Sequence, residues 1–227
     1  MKKQLLLAFC ALGLFAGTAS AQMTFGAKAG LNYSIVTTNF KEGEKPDDWE
    51  NASGIGFHIG GFMNYDINDN LHFRPELLYS SRGTSSSSTT EIDILGVVTK
   101  VETDEKSSTN YLEIPLLLAL GANDGFQLHV GPSVNLLMGG KATLDNKTTV
   151  GGVTTEESVE VSGSDFTDGM SGLDLGLVVG AGMTTDSGLG FGLRYQRGLT
   201  SINSENTDQV VSNWNVVQAS VSYSFGN

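Results

Sequence analysis

Apolar and polar residues alternate along eight segments of this chain. In the first segment, Phe25, Ala27 and Leu31 share one parity, while Lys28 and Asn32 share the other. Successive side chains of a β-strand point to opposite faces, so each segment is expected to form a strand with one apolar and one polar face. The eight predicted strands are residues 23–37, 54–67, 71–83, 110–120, 126–138, 173–184, 189–199 and 214–225.

The charges of these segments indicate the environment of the two faces. On the apolar parity no charge occurs until Arg197, near the end of the seventh segment. A charge on the lipid face of a membrane barrel costs about 2–4 kcal/mol at the bilayer midplane, so that face must be free of charge. A soluble barrel has the reverse arrangement, apolar inside and charged outside. The pattern therefore predicts an all-β protein, a transmembrane antiparallel up-and-down β-barrel of eight strands.

The connections between the predicted strands alternate in length, as they do in outer-membrane barrels. The short connections, expected to be periplasmic turns, are 68–70, 121–125 and 185–188. The long connections, expected to be extracellular loops, are 38–53, 84–109, 139–172 and 200–213. Two of the long connections contain strand-like runs, Ile92 to Val101 and Thr148 to Val161. These runs either form hairpins above the membrane or join the wall, in which case the barrel has more than eight strands.

The N-terminal residues have the composition of an export signal. Met1-Lys2-Lys3 is positively charged, residues 5–15 are mostly apolar, and Ala19-Ser20-Ala21 fits a cleavage site. Residues 1–21 are therefore expected to be a cleaved signal peptide, and residues 22–227 to be the barrel domain. Export followed by insertion would place the protein in the outer membrane of a Gram-negative bacterium.

Aromatic residues of the apolar parity fall near both ends of the predicted strands. Aromatic rings at the two membrane interfaces form girdles in outer-membrane barrels, although aromatic residues also favour strands in general. We expect the girdle to consist of Phe25, Tyr65, Phe73, Phe126, Phe191, Tyr223 and Phe225 near the short turns, and of Tyr33, Tyr79 and Tyr195 near the long connections.

The polar parity contains all three histidines and a set of opposite charges. Eight strands leave an interior just wide enough for side chains, and buried charges need partners. We therefore expect a structural, ion-paired network that fills the lumen; a metal site or a polar relay is the alternative. Parity also places Arg82 on the inward face. The expected network residues are Lys28, His58, His72, Arg74, Glu76, Glu113, His129, Asp174 and Arg194. No catalytic, cofactor-binding or metal-binding residue is predicted.

The chain is acidic, with 25 acidic and 13 basic residues and a net charge of −12, which disfavours nucleic acid as a partner. Eighteen of the acidic residues fall in the four long connections. These connections are either a solvated surface or the site of an extracellular or envelope protein partner. Outer-membrane lipid and lipopolysaccharide are the partners expected of the wall.

Five stretches resemble a known family. The most specific is Tyr111-Leu112-Glu113-Ile114-Pro115-Leu116-Leu117, and the others are residues 25–32, 130–133, 176–182 and 193–195 with 198–200. They are similar to the outer-membrane β-barrel family that is common in Bacteroidetes and often labelled PorT-like. The resemblance implies a Gram-negative outer-membrane barrel of eight strands, and it implies no particular shared activity.

The expected function is a non-enzymatic role in envelope structure or surface interaction. A lipid-modifying enzyme is one alternative, and it would need His, Ser or carboxylate groups on the outer face near the rim. That face lacks His and carboxylate in the predicted strands. A narrow pore is the other alternative, but a lumen filled by charged side chains argues against open conduction.

Overall fold

The computed structural model describes residues 23–40, 51–94, 97–122, 125–204 and 210–225, which form nine strands and one helical turn. The predicted signal peptide at residues 1–21 lies outside the described residues. The elements are β1 (Met23–Phe40), β2 (Ser53–Asn68), β3 (Leu71–Ile94), β4 (Val97–Gly121), β5 (Phe126–Val150), β6 (Val153–Ser162), α1 (Ser164–Thr167), β7 (Leu173–Thr184), β8 (Leu189–Gly198) and β9 (Val210–Phe225).

Eight of the nine strands close into a ring within the described part of the chain. Neighbours pair in the order β1-β2-β3-β4-β5-β7-β8-β9, and every pairing is antiparallel. The ring is closed by β9 pairing with β1, from Phe25–Phe225 to Phe40–Val210. Among the described residues, β6 pairs with β5 alone and lies outside the ring. The prediction of an eight-stranded antiparallel up-and-down barrel is confirmed.

Three short turns join wall strands at one end of the barrel, as predicted. Between β2 and β3, the Asn70 N–H donates to the Asn68 side-chain oxygen at 3.0 Å, which fixes a two-residue turn. Between β7 and β8, Gly188 has a φ of 84°, a left-handed conformation that glycine adopts without steric cost. The third turn lies between Gly121 and Phe126, at the same end.

The long connections contain far more strand than the alternation predicted. β3, β4 and β5 have 24, 25 and 25 residues, and each runs well past its predicted end. The segment 84–109 continues the β3–β4 ladder, and the segment 139–172 holds the β5–β6 hairpin and α1. β1 and β9 also extend into 38–53 and 200–213. The long connections are therefore largely strand rather than irregular loop, and the predicted strand ends were too early.

Of the two alternatives for the strand-like runs, hairpins beyond the wall are what the structure contains. Apolar alternation weakens there because outside a bilayer neither face of a strand has to be apolar. The backbone ladder continues nevertheless, since each added pair of residues satisfies its own N–H and C=O groups.

These extensions form one four-stranded sheet, hereafter the outer sheet. It consists of residues 86–94 of β3, 97–107 of β4, 140–150 of β5, and all of β6. The ladders are continuous across it, from Ser86–Glu105 through Glu105–Leu144 to Leu144–Val159. Three of the four strands of the outer sheet are therefore direct continuations of wall strands, and no linker separates the outer sheet from the wall.

The faces of the outer sheet have the opposite polarity to those of the wall. On β4, the even positions that point outward in the wall include Leu112 and Leu116, whereas beyond the wall the same parity carries Lys106 and Asp104. The lumen-facing parity, which carries the buried Glu113 in the wall, continues beyond it as Glu105, Thr103, Val101 and Thr99, with one charge among less polar residues. The outer boundary of the lipid-facing surface on β4 therefore lies between Lys106 and Leu112.

A pair of arginine substitutions on β4 tests this boundary. Leu116 and Val98 share one parity and are similarly exposed, at 37% and 43%. Leu116→Arg is expected to lower the free energy of unfolding in lipid vesicles by about 2–4 kcal/mol, because the charge would face hydrocarbon. Val98→Arg should leave stability unchanged, because it would face water. Urea titration followed by the gel shift between folded and unfolded barrel measures both; equal effects would contradict the placement.

Candidate functional site

Inward-facing side chains fill the barrel from one end to the other. None of the nine residues expected to form the lumen network is more than 5% exposed. They do not form one network, however. Most of them belong to two charge clusters, and the histidines lie beside or apart from these clusters with partners of their own.

The first cluster is centred on Glu76, which accepts hydrogen bonds from three cations. Arg194 binds it through two parallel bonds, Nη1 to Oε2 at 2.8 Å and Nη2 to Oε1 at 2.7 Å. Lys28 Nζ donates to Oε2 and Arg74 Nε to Oε1, each at 3.1 Å. We call Lys28, Arg74, Glu76 and Arg194 the Glu76 cluster. Three cations on one carboxylate leave this cluster with an excess of positive charge.

The second cluster is centred on Arg82, which parity placed inward but which the predicted network omitted. Its Nη1 donates to Asp174 Oδ2 at 2.9 Å, and its Nη2 lies 3.6 Å from Glu113 Oε2. Asn135 and Thr200 also donate to Asp174, at 3.0 and 3.1 Å. We call Arg82, Glu113 and Asp174 the Arg82 cluster. It joins β3, β4 and β7 across the lumen.

Neutral amides that the sequence analysis did not single out complete this second cluster. Gln218 Nε2 lies 3.3 and 3.4 Å from the two Glu113 oxygens. When the side-chain amide of Gln196 is rotated so that its O and N exchange places, Gln196 donates to Glu113 at 3.0 Å and accepts from Arg82 at 3.0 Å. The inward parity of Gln196 on β8 and of Gln218 on β9 could have identified both as lumen residues. Parity does not show, however, which residues meet across a lumen.

The three histidines lie apart from one another. His58 Nδ1 is 2.7 Å from Asn32 Oδ1, and His72 Nδ1 is 2.7 Å from Asp66 Oδ1 near the short turns. His129 contacts a neighbouring glutamine on its own strand. The structure therefore brings His72 into neither charge cluster. In the described ranges, no three His, Cys, Asp or Glu side chains are arranged to hold a metal ion.

An apolar cluster fills the lumen at the end opposite the short turns. It consists of the buried Tyr111, Ile202, Trp214 and Val216, hereafter the mouth cluster. Trp214 Nε1 donates to the Tyr111 hydroxyl at 3.0 Å. The Arg82 guanidinium lies 4.4 Å from the Tyr111 ring centroid and 5.7 Å from that of Trp214, so cation–π contacts join this cluster to the charges below it. The sequence analysis did not anticipate this cluster, although Trp214 and Val216 have the inward parity of β9.

Inward glycines leave the space that these large side chains occupy. A Cβ atom at Gly30 would lie 2.1 Å from the Ala219 carbonyl oxygen and 2.6 Å from His58 Cε1. Neither neighbour can easily move, because one is backbone and the other is a buried ring. Packing around His58 therefore requires a residue without a side chain at position 30.

Gly30→Ala is accordingly expected to lower the free energy of unfolding by about 1–3 kcal/mol through overpacking. Gly192→Ala is the matched control, because the closest atom to a Cβ there is the Ala181 carbonyl oxygen at 3.6 Å. Urea titration of both variants by gel shift checks the prediction. Equal stability of the two alanine variants would show that the lumen is packed less tightly than these distances indicate.

The ten aromatic residues expected to form a girdle all lie on the outward parity. Eight of them are exposed, and Tyr65 and Phe73 are half-buried. Tyr33 and Tyr195 both pair with Val217, so the three residues are direct neighbours across β1, β9 and β8. Their role at the membrane interface stays a prediction.

The outward face of the outer sheet is strongly charged. It holds a cavity of about 640 Å³ whose lining includes Glu102, Asp104, Asp145, Lys147 and Glu156. The exposed charges form ion pairs of varied length, from 2.7 Å between Lys100 Nζ and Glu102 Oε1 to 3.8 Å between Lys147 Nζ and Glu156 Oε1. A hydrogen bond from a neighbouring lysine lowers the pKa of Glu102. Exposed ion pairs contribute little to stability, so these charges remain available for other contacts.

Comparisons with known proteins gave one family model and a set of solved structures. Within the described ranges, no helix is both long enough and apolar enough to cross a membrane. Curated proteins gave no match. Solved structures that resemble the chain include Ail, the attachment invasion locus protein of Yersinia pestis (12% identity, 90% of this chain and 99% of that chain, TM-score 0.38). Neisserial surface protein A is 14% identical over 88% of this chain and 96% of that chain, with a TM-score of 0.41.

OprG from Pseudomonas aeruginosa is 14% identical over 91% of this chain and 97% of that chain, with a TM-score of 0.36. A family model described as the outer membrane protein beta-barrel domain matches residues 15–204, which is most of the chain. With the closed eight-stranded ring already in place, the chain belongs to this family and is an integral outer-membrane β-barrel protein.

Proposed function

We propose that this protein is a closed, non-enzymatic barrel that anchors the outer sheet at the cell surface for contact with an extracellular or envelope protein. The observation that carries the proposal is the inversion of polarity along β4, where one parity changes from Leu112 to Lys106. The outward face of β4 is therefore apolar, as lipid requires, at Leu112 and charged, as water allows, at Lys106. A wall that needed only to anchor itself would not require the outer sheet.

The filled lumen favours this role over that of a pore. The Glu76 cluster, the Arg82 cluster and the mouth cluster follow one another along the barrel, and their side chains are buried. Eight strands leave little room beyond such side chains. The purified protein is therefore expected to give no steady conductance in planar bilayers; reproducible single-channel steps would contradict a closed lumen.

The lipid-facing wall does not favour an enzyme that acts on lipid. Among the described wall residues, the outward parity carries mainly aliphatic and aromatic side chains, with Arg197 near the end of β8 and with neither His nor carboxylate. The carboxylates of the barrel interior are instead engaged with cations, as Glu76 is with Arg194. We propose that outer-membrane lipid and lipopolysaccharide surround the wall and are not its substrates.

The finer assignment of family and export is also part of the proposal. The stretch Tyr111-Leu112-Glu113-Ile114-Pro115 supports a PorT-like barrel of the Bacteroidetes type in a Gram-negative outer membrane. The charged and apolar residues before Ala21 support export by a cleaved signal peptide. N-terminal sequencing of protein from outer membranes is expected to begin at Gln22; a start at Met1 would contradict cleavage.

Photo-crosslinking in intact cells tests the surface role. A benzoylphenylalanine at Ser158, an exposed residue of the charged cavity on the outer sheet, is expected to give a discrete adduct with a protein. The same probe at Leu128, which is 51% exposed on the lipid face, should give lipid adducts only. Lipid adducts alone at both positions would contradict the surface role while leaving the barrel itself untouched.

A further inference from the structure

The buried charges of the barrel do not cancel. Within the described residues, four cations are buried in the lumen (Lys28, Arg74, Arg82 and Arg194) against three carboxylates (Glu76, Glu113 and Asp174). With the histidines neutral and Lys28 protonated, one positive charge has no counterpart among these buried groups. An uncompensated charge in a medium of low dielectric constant is costly, so proteins provide such charges with a partner.

The imbalance is concentrated at the Glu76 cluster. The Arg82 cluster has one cation and two carboxylates, whereas the Glu76 cluster has three cations and one carboxylate. Lys28 uses one of its three N–H donors on Glu76 among the described residues. Arg74 Nη1 donates outside the cluster, to Asn64 Oδ1 at 3.4 Å. The N–H donors of the three cations still outnumber the acceptor oxygens that receive them among the described residues.

A small cavity lies beside these cations. Its volume is about 20 Å³, enough for one occupant of about the size of a water molecule. All three cations of the Glu76 cluster line it, together with Gln127, His129, Thr184, Ser220 and Ser222. These side chains offer N–H or O–H donors, and none of the described lining residues is a carboxylate.

We propose that this cavity binds one small monovalent inorganic anion, chloride under cellular conditions. One such anion supplies the missing negative charge at the place where the cations outnumber the carboxylates. The anion also accepts hydrogen bonds from several donors at once. The Glu76 carboxylate cannot serve these additional donors, because three cations already share it. A water molecule fits the volume but leaves the charge of the lumen unbalanced.

The position of Ser222 provides a substitution that replaces the anion. Ser222 pairs directly with Lys28 across β9 and β1, and it lines the cavity. A carboxylate introduced by Ser222→Asp would therefore lie beside Lys28 on the same face of the sheet. It is expected to fill the role of the anion, so that stability no longer depends on halide.

The experiment measures the urea midpoint of the purified, folded barrel in sodium chloride, sodium bromide and sodium gluconate at equal ionic strength. The wild-type midpoint is expected to be higher in both halides and to saturate with halide concentration. Ser222→Asp and Lys28→Met should lose this dependence, the second by removing the excess cation. Lys147→Gln, on the outer sheet, is the control and should keep it.

Crystals grown in bromide give a readout that is independent of variant folding. Anomalous scattering is expected to show one bromide in the cavity, within hydrogen-bond distance of Lys28 or Arg74. A wild-type midpoint that is the same in halide and gluconate would overturn the proposal. Absence of bromide from the cavity in well-diffracting crystals would overturn it as well.

Discussion

Replacing Glu76 by glutamine is expected to lower the free energy of unfolding by about 3–5 kcal/mol, because it leaves three buried cations without their carboxylate. Arg194 would lose a bidentate partner at 2.7 and 2.8 Å, and Lys28 and Arg74 would each lose an ion pair. The glutamine is nearly isosteric, so the effect would come from charge rather than from volume. Urea titration by gel shift in detergent or vesicles measures it.

Two further variants separate charge from packing at this position. The double variant Glu76→Gln with Lys28→Met removes one of the stranded cations and should recover part of the lost stability. Glu160→Gln, which breaks the exposed 3.4 Å pair with Lys141, should have little effect because exposed pairs contribute little. A Glu76→Gln barrel as stable as the wild type would show that the lumen tolerates an unpaired cation cluster.

Trp214→Ala is the second substitution with a large expected effect, a loss of about 3–5 kcal/mol from truncating a buried aromatic residue. Trp214 is 3% exposed, packs in the mouth cluster, and donates to the Tyr111 hydroxyl. Its removal would leave a void above Arg82 and loosen the seal over the charged lumen. The same urea titration reports the loss.

Trp214→Phe is the matched control for this truncation. It keeps a ring in the mouth cluster and loses the indole N–H, so it should cost roughly 0.5–1.5 kcal/mol, the usual range for one hydrogen bond. If the alanine and phenylalanine variants had the same stability, the ring itself would contribute nothing and the cluster would not seal the lumen.

The alternation of side chains predicted the wall correctly because a lipid face imposes a strict requirement. Leu112 and Leu116 could not be polar, and Glu113 between them could not face hydrocarbon, so a period of two was visible in the sequence. The short turns followed from the same segments. Beyond the bilayer this requirement ends, and the strands of the outer sheet were correspondingly underestimated in length.

Contacts across the lumen could not be predicted in the same way. Parity placed Arg82 and Asp174 inward, but their 2.9 Å hydrogen bond depends on how far each strand is staggered around the ring. Stagger is a property of the closed barrel and not of any single segment. For the same reason the inward parity of Trp214 did not indicate that it would meet Tyr111.

The position of β6 has a consequence for how such a chain can diverge. β5 pairs with β7 along its wall half and with β6 along its outer half, so the outer half of the β5–β6 hairpin, including all of β6, lies outside the ring. Residues can therefore be gained or lost at its tip, between Val150 and Val153, without altering strand count or stagger. Changes in matched pairs, one residue on each strand, would lengthen or shorten the exposed hairpin and keep every remaining side chain on its face. Variation in length among homologues should therefore concentrate at this tip, while the wall keeps constant dimensions.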